Sequence, residues 1–442
     1  MGTKSGVIMR KDREKPVLVP EAEQPFPIPS NWRWVYLPSI CEYIKAGGDK
    51  PELVSNYKTD DLNIPVVANG VQNDGIIGYT NIEMEKAGSI TVSGRGTIGF
   101  ACLRNYSYYP VVRLIVISPR RNIVAGYLKY IFDIFEEKST GTSIPQLTVP
   151  ALRKKAVPLA PTPEQHRIVE HIESLFAKLD EAKEKAQKYV DKYEARRAAI
   201  LYLAFTGELT AEWRNREQVN FEDWTTATLQ SVCAMKITDG THKTPTYCDK
   251  DKGFAFISAK DVTSGSISWD NIKYIIPELH EDLYARLAPQ IDDVLLAKNG
   301  TTGVAAIVDT DRVFDLYVTL AVLRPNKTII IPRYLLNVIN SPICKQQFDE
   351  HLTGIGVPNL HLRDIKAVEI PLPPMQEQEQ IVRVLDLLLY KEQQVKNLAE
   401  SVINRIDVMK KAVLASAFRG ELGTNDPSEP PVDIPALQEE SS

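Results

Sequence analysis

Two stretches of this chain carry an unusually long apolar rhythm. From Ile168, apolar positions recur at alternating steps of four and three through Ile172, Leu175, Leu179, Ala182, Ala186, Tyr189, Tyr193, Ile200 and Leu203, and only Arg196 interrupts them. From Ile381 the same rhythm runs through Leu385, Leu388, Val395, Ala399, Val402, Ile406, Met409 and Val413, with Glu392 and Ser416 as its polar members. This spacing predicts two coiled-coil helices. Thr162-Pro163 with Gln165 reads as an N-cap, a first-turn proline and a capping box, while Gly207 and Gly420 read as stops. Each helix is then about 42 residues long and spans roughly 60 Å.

Elsewhere the pattern shortens and changes period. Ile64-Val67, Ile90-Val92 and the run Val111 to Val116 read as strands before the first helix. Phe254-Ile257, Val294-Leu296 and Val304-Val308 do so before the second, with short helices at Val124 to Phe135 and Pro332 to Ile339. The chain is therefore α+β: two mixed α/β heads joined by two long helices. The expected parts are a flexible segment 1–30, a head at 31–161, a helix at 162–208, a linker at 209–221, a second head at 222–374, a second helix at 375–422 and a disordered acidic tail at 423–442.

The two helices belong to a repeat. Thr140 to Leu209 aligns without a gap on Thr353 to Leu422, and 22 of the 70 pairs are identical. Trp32, Leu37, Ile40 and Cys41 match Trp224, Leu229, Val232 and Cys233 at a shorter offset, so the second copy holds 21 extra residues between these anchors and the helical end. Two matched helices in one chain suit antiparallel pairing, which gives an internal pseudo-twofold repeat; a parallel dimeric zipper is the competing arrangement. That pairing would bring Ala182 and Ala186 near Val395, Ala399 and Val402.

Charge narrows the choice of partner. The net charge is −5, yet the tail from Thr424 holds five acidic and no basic residues, and without it the chain has 52 of each. A neutral body can carry local basic faces, with partners neutralising further phosphate if the ligand is DNA. No run of about 18 apolar residues could span a bilayer. The start lacks a secretory stretch, and five cysteines form no CxxC pair, so a reduced cytoplasmic protein is expected.

The heads place polar glycine-rich turns between strands. Lys50, Asn69, Arg95 and Thr97 in the first head, and Thr241, His242, Lys243, Lys298, Asn299 and Thr301 in the second, are residue types suited to base edges and phosphates. The stretch Arg104 to Tyr109 reads either as a backbone-lining aromatic-basic strip or as an exposed hairpin. No GxxxxGK loop, no Asn-Pro-Pro-Tyr tetrapeptide, no GxGxxG turn at a strand-helix junction and no zinc-type His/Cys spacing appears. No catalytic, cofactor or metal constellation is therefore expected.

Several motifs recur in both copies: Thr-Gly...Pro-x-Leu at 140–147 and 353–360, Pro-Leu-x-Pro...Glu-Gln at 158–165 and 371–378, and Ala-Phe-x-Gly-Glu-Leu at 204–209 and 417–422. With Thr210-Ala211-Glu212-Trp213-Arg214, they make the chain from about Asn31 to Leu422 resemble the DNA-specificity (S) subunit of type I restriction-modification systems. The resemblance implies two target recognition domains, each reading half of a bipartite asymmetric site in double-stranded DNA, held apart by an antiparallel helical spacer. It implies a non-catalytic subunit working with two methyltransferase (M) and two restriction (R) subunits. S-adenosylmethionine and ATP with Mg would bind those partners, and the modified base would be an adenine. The competing expectation is a non-enzymatic coiled-coil adaptor whose heads bind proteins.

Overall fold

The computed structural model describes residues 18–134, 146–262, 266–352 and 358–433. In the first head the strands are β1 (Arg33–Tyr36), β2 (Cys41–Ala46), β3 (Ile64–Val67), β4 (Ile76–Thr80), β5 (Ser89–Val92), β6 (Ala101–Arg104), β7 (Tyr109–Pro110), β8 (Ile115–Pro119) and β9 (Ala156–Leu159). Helices α1 (Ala125–Ile134) and α2 (Val149–Leu152) precede α3 (Thr162–Asp191), α4 (Tyr193–Phe205) and α5 (Ala211–Glu217). The second head contains β10 (Thr225–Thr228), β11 (Thr238–Asp239), β12 (Phe254–Ile257), β13 (Lys273–Ile275), α6 (Pro277–Arg286), β14 (Val294–Ala297), β15 (Ala305–Ile307), β16 (Phe314–Leu316) and β17 (Leu320–Leu323). Then come α7 (Pro332–Ile339), α8 (Pro342–Glu350), α9 (Leu362–Ala367), β18 (Glu369–Leu372) and the 44-residue α10 (Met375–Phe418).

The heads share one topology. In the first, a four-stranded antiparallel sheet has the order β2-β8-β5-β6, a three-stranded sheet the order β4-β3-β7, and β1 pairs with β9. In the second, the orders are β11-β17-β14-β15, β13-β12-β16 and β10 with β18. A parallel strand pair recurs too, as β3 with β7 and β12 with β16. The repeat therefore extends through the middles, where residue identity had faded. Helix α6 has no counterpart among the described residues of the first head, and it falls within the longer second copy.

The chain divides into two compact units, Met1–Ala186 with Ser401–Ser442, and Gln187–Glu400. Each contains one head and one stretch of paired helix. In the first, Lys183 Nζ lies 3.1 Å from Asp407 Oδ1 and Lys410 Nζ 2.6 Å from Asp180 Oδ1, so α3 and α10 run antiparallel there. In the second, Arg196 Nε donates to Glu392 Oε2 at 2.9 Å and Tyr193 to Gln393 Oε1 at 2.7 Å, with the same sense. The Lys183 pair sets Ala182 at the level of Ile406 and Asp407, not of Val395 and Ala399, and Ala182 is exposed.

The repeated motifs hold each head to its helices. Trp32 Nε1 donates to Glu164 Oε2 at 2.7 Å, and Trp224 Nε1 to Glu377 Oε2 at 2.8 Å. Gln165 Oε1 accepts from Val124 N while its amide donates to Ala160 O; Gln378 does the same with Ile331 N and Pro373 O. The Ala-Phe ends are core residues: Phe418 packs edge-on against Tyr127, and Phe205 against Tyr334, at 5.1 and 5.2 Å. Thus the tail end of α10 is sewn under the first head, and α4 under the second.

Four expectations change. The capping box does not form, because the Thr162 hydroxyl donates to Asn122 O and Gln165 serves the head. The first long helix is interrupted at Lys192, between α3 and α4. Residues 18–30 are not all loose: Val19 is buried and donates to Trp34 O, and Phe26 packs edge-on against Trp34. Nor does the tail leave at 423. Asn425 Nδ2 donates to Asn31 Oδ1 and Glu164 Oε2, and the Arg167 guanidinium grips both Glu429 oxygens at 2.8 and 2.9 Å. The Thr-Gly motifs and Pro145 lie outside the described residues.

Candidate nucleic-acid interface

In each head, the loops between the strands of the larger sheet and the parallel pair converge on one edge. The first-head edge is tied by backbone bonds: Val112 N to Gly48 O at 2.8 Å, Gly47 N to Leu114 O at 2.7 Å and Leu147 N to Gly94 O at 2.9 Å. The second-head edge repeats them as Val318 N to Thr241 O, Gly240 N to Leu320 O and Leu360 N to Lys298 O. This correspondence makes Lys50 equivalent to Lys243, Arg95 to Asn299 and Thr97 to Thr301. Gly47 and Gly240 are required by close approach, since a Cβ at either would come within 2.8 Å of the facing backbone, at Pro110 and Leu316.

The ten positions picked from sequence all belong to these edges, but they differ in what their side chains do. Lys50, Arg95, Thr97, His242, Lys243 and Thr301 are exposed, and Asn299 is half-buried. Arg95 donates to Gln146 Oε1 through Nε and Nη2, at 3.4 and 3.1 Å, and Asn299 Nδ2 donates to Asn359 Oδ1 at 2.7 Å. Gln146 and Asn359 are equivalent residues that sequence reading passed over. They are the variable member of Pro-x-Leu in each copy, so the repeat itself marks them.

Three of the ten are braces within the head. Asn69 donates its amide to Val112 O and accepts from Gly94 N, both at 2.8 Å, so it joins three loops. Thr241 is buried, and its hydroxyl accepts from Lys243 N. Lys298 is buried with its ammonium 3.3 Å from Asp239 Oδ2, and the other Asp239 oxygen lies 3.3 Å from His242 Nε2. A buried ammonium needs such a partner, because desolvation otherwise costs more than the site returns.

Helix α6 supports the second edge. Its Arg286 donates to Asp239 O at 3.0 Å, and its His280 Nδ1 lies 2.7 Å from Asp315 Oδ2 while stacking on Phe254 at 3.6 Å. Burial pushes the Asp315 carboxyl above its ordinary value, against the opposing pull of His280. The Arg104 to Tyr109 stretch is neither strip nor exposed hairpin, since Arg104 and Tyr108 are fully buried. The Arg104 guanidinium bonds Thr91, Tyr106 and Asp74 O, and Tyr108 meets the Ser89 hydroxyl at 2.8 Å. Among the described residues no His, Cys, Asp or Glu group is arranged to hold a metal, and no helix is long and apolar enough to cross a membrane.

Two heads of one topology, each bearing a polar multi-loop edge and mounted on long antiparallel helices, define a two-domain DNA-specificity subunit. The chain belongs to that family: the type I restriction modification DNA specificity domain matches residues 29–188 and again 221–401. It is similar to the EcoBI specificity subunit of Escherichia coli, at 26% identity over 67% of this chain and 64% of that protein. It is likewise similar to the EcoKI specificity subunit of Escherichia coli strain K12, at 23% identity over 89% of this chain and 90% of the other. Its fold matches the HsdS subunit from Thermoanaerobacter tengcongensis with a TM-score of 0.62 and 19% identity, covering 91% of this chain and all of that one.

Proposed function

We propose that this chain is the non-catalytic subunit that gives a type I restriction-modification complex its target: a bipartite, asymmetric site in double-stranded DNA, one half-site per head. The observation that carries this reading is the duplicated loop edge. The two heads share backbone bracing but differ in the side chains placed at equivalent positions of the edge, Arg95 against the half-buried Asn299 and Asp49 against His242. Identical frames with unlike side chains are what two different half-sites require, because phosphate contacts position a protein while base-edge contacts specify sequence. Lys50, Arg95, Thr97, His242, Lys243, Asn299 and Thr301 are assigned to the DNA, with Asn69, Thr241 and Lys298 shaping the loops.

The long helices are assigned two tasks: they set the number of unread base pairs between half-sites, and they dock methyltransferase and restriction subunits. Docking is supported by apolar side chains left exposed along α10, among them Leu387, Tyr390, Leu398, Val408 and Met409, since exposed apolar stripes mark interaction sites. S-adenosylmethionine and ATP with Mg are assigned to those partners. The test is methylome sequencing of cells with and without this chain. A bipartite motif that disappears with the chain is expected; an unchanged methylome would overturn the reading.

A further inference from the structure

The run Val111-Val112-Arg113-Leu114-Ile115-Val116 has the composition of a single strand, and the chain breaks it. Strand β7 ends at Pro110 and β8 begins at Ile115; between them Val112 and Arg113 both take left-handed backbone, with φ of 44° and 63°. A β-branched residue at positive φ is an outlier, and glycine or asparagine would sit there more easily. The conformation is held from three sides: Val112 N donates to Gly48 O, Arg113 N to Gly47 O, and Asn69 Nδ2 to Val112 O. The topology does not demand it. At the equivalent Val318-Thr319 of the second head, backbone φ is negative and the side chains are half-buried.

What the strain provides is an exposed apolar group on a charged edge. Val112 is 56% exposed, on the edge that also carries the exposed Lys50, Arg95 and Arg113. An isopropyl group cannot serve phosphate, and the one apolar group that base edges offer in the major groove is the C5-methyl of thymine. We infer that Val112 is a specificity-determining contact of the first head, selecting a thymine by its methyl group. This inference rests on the proposed DNA-reading function, and it adds a residue and a base chemistry to it.

The test uses the full chain in its assembled complex. The methylated motif of cells carrying the wild-type chain gives both half-sites. Duplexes built on that motif are then prepared with uracil in place of each thymine in turn, and binding is compared for wild type, Val112→Gly and Val112→Asn. One uracil in one half-site is expected to weaken wild-type binding roughly four-fold, the equivalent of about 0.8 kcal/mol for one buried methyl group. The same uracil should leave both variants unaffected, and both should melt no lower than wild type. Indifference of the wild type to every uracil would overturn the inference, as would variants that bind all duplexes more weakly alike or that lose their folding transition. A wild-type chain that directs no motif would overturn the functional reading itself, a separate result read before any uracil is introduced.

Discussion

The two tryptophans that open the heads show how a single residue position can be repeated and yet carry different weight. Both carboxylates are fully buried, but Glu164 accepts from Trp32, Asn425 and Thr424, all neutral, whereas Glu377 accepts from Trp224 and Thr210 and pairs with the Arg214 guanidinium at 2.5 Å. Removing one member of a buried ion pair strands the other charge. Glu377→Ala is therefore expected to destabilise by about 3–5 kcal/mol, and Glu164→Ala by about 1–3 kcal/mol, as measured by urea unfolding of the full chain. Equal losses would show that Arg214 finds another partner. At the loop edge, Arg95→Ala should relax the first half-site alone at a cost of about 1–3 kcal/mol if the guanidinium leaves Gln146 for a base. A uniform loss across sequences would make it a phosphate contact. The left-handed Val112 is worth about 1–3 kcal/mol of local strain, which is a reason to expect its side chain to be used.

At the scale of elements, the seam of α10 departs from the strict four-three rhythm. Ile381, Leu385, Ala399 and Ile406 are buried as that rhythm requires, but Val395, Val402 and Met409 are exposed, and at the end of the helix the buried positions are Leu414 and Ala417, one residue beyond Val413 and Ser416. An unsupercoiled helix drifts by about 20° per heptad against a 3.5-residue repeat, enough over this length to move the seam by a residue. Lys396 and Lys410 then enter it, their ammonium groups 4.7 and 5.0 Å from the ring centres of Tyr193 and Phe176. Inserting four residues in each long helix should add about 6 Å, close to two base pairs at 3.4 Å per step, and methylome sequencing should show the gap in the motif widen by that amount. Helix α6 makes a different prediction. Arg286→Ala removes the bond to Asp239 O without touching an exposed edge residue, so the half-site of the second head should broaden while the other half-site and the melting temperature hold. Arg286→Lys should restore part of the selectivity.

For the whole molecule, charge and duplication work together. With balanced charge outside its tail, a chain that reads DNA as proposed would rely on local cations such as Lys50, Arg95, Arg113 and Lys243, so its affinity for DNA should be modest alone and should fall steeply with added salt, as counterion release requires. Titrating a duplex that contains the motif between 50 and 200 mM salt checks this. A flat response would favour the protein-binding adaptor.

Much of this was written in the linear chain. Apolar periodicity determined that there are two long helices, and the gapless repeat with its Glu-Gln and Ala-Phe anchors determined that there are two copies of one plan, because burial demands the same residues wherever the same contacts recur. The ten edge positions were legible as polar glycine-rich turns, since turn chemistry is local. Other features were settled only by contacts between distant segments: the shared strand order of the divergent middles, the burial of Arg104, Thr241 and Lys298, the pairing of Arg95 with Gln146, and the break that exposes Val112. Backbone hydrogen bonds fix strand order whatever the side chains are, and so identity can fade while topology persists. Whether a polar side chain braces a loop or faces outward depends on which neighbour folding brings alongside, and that is absent from any local pattern.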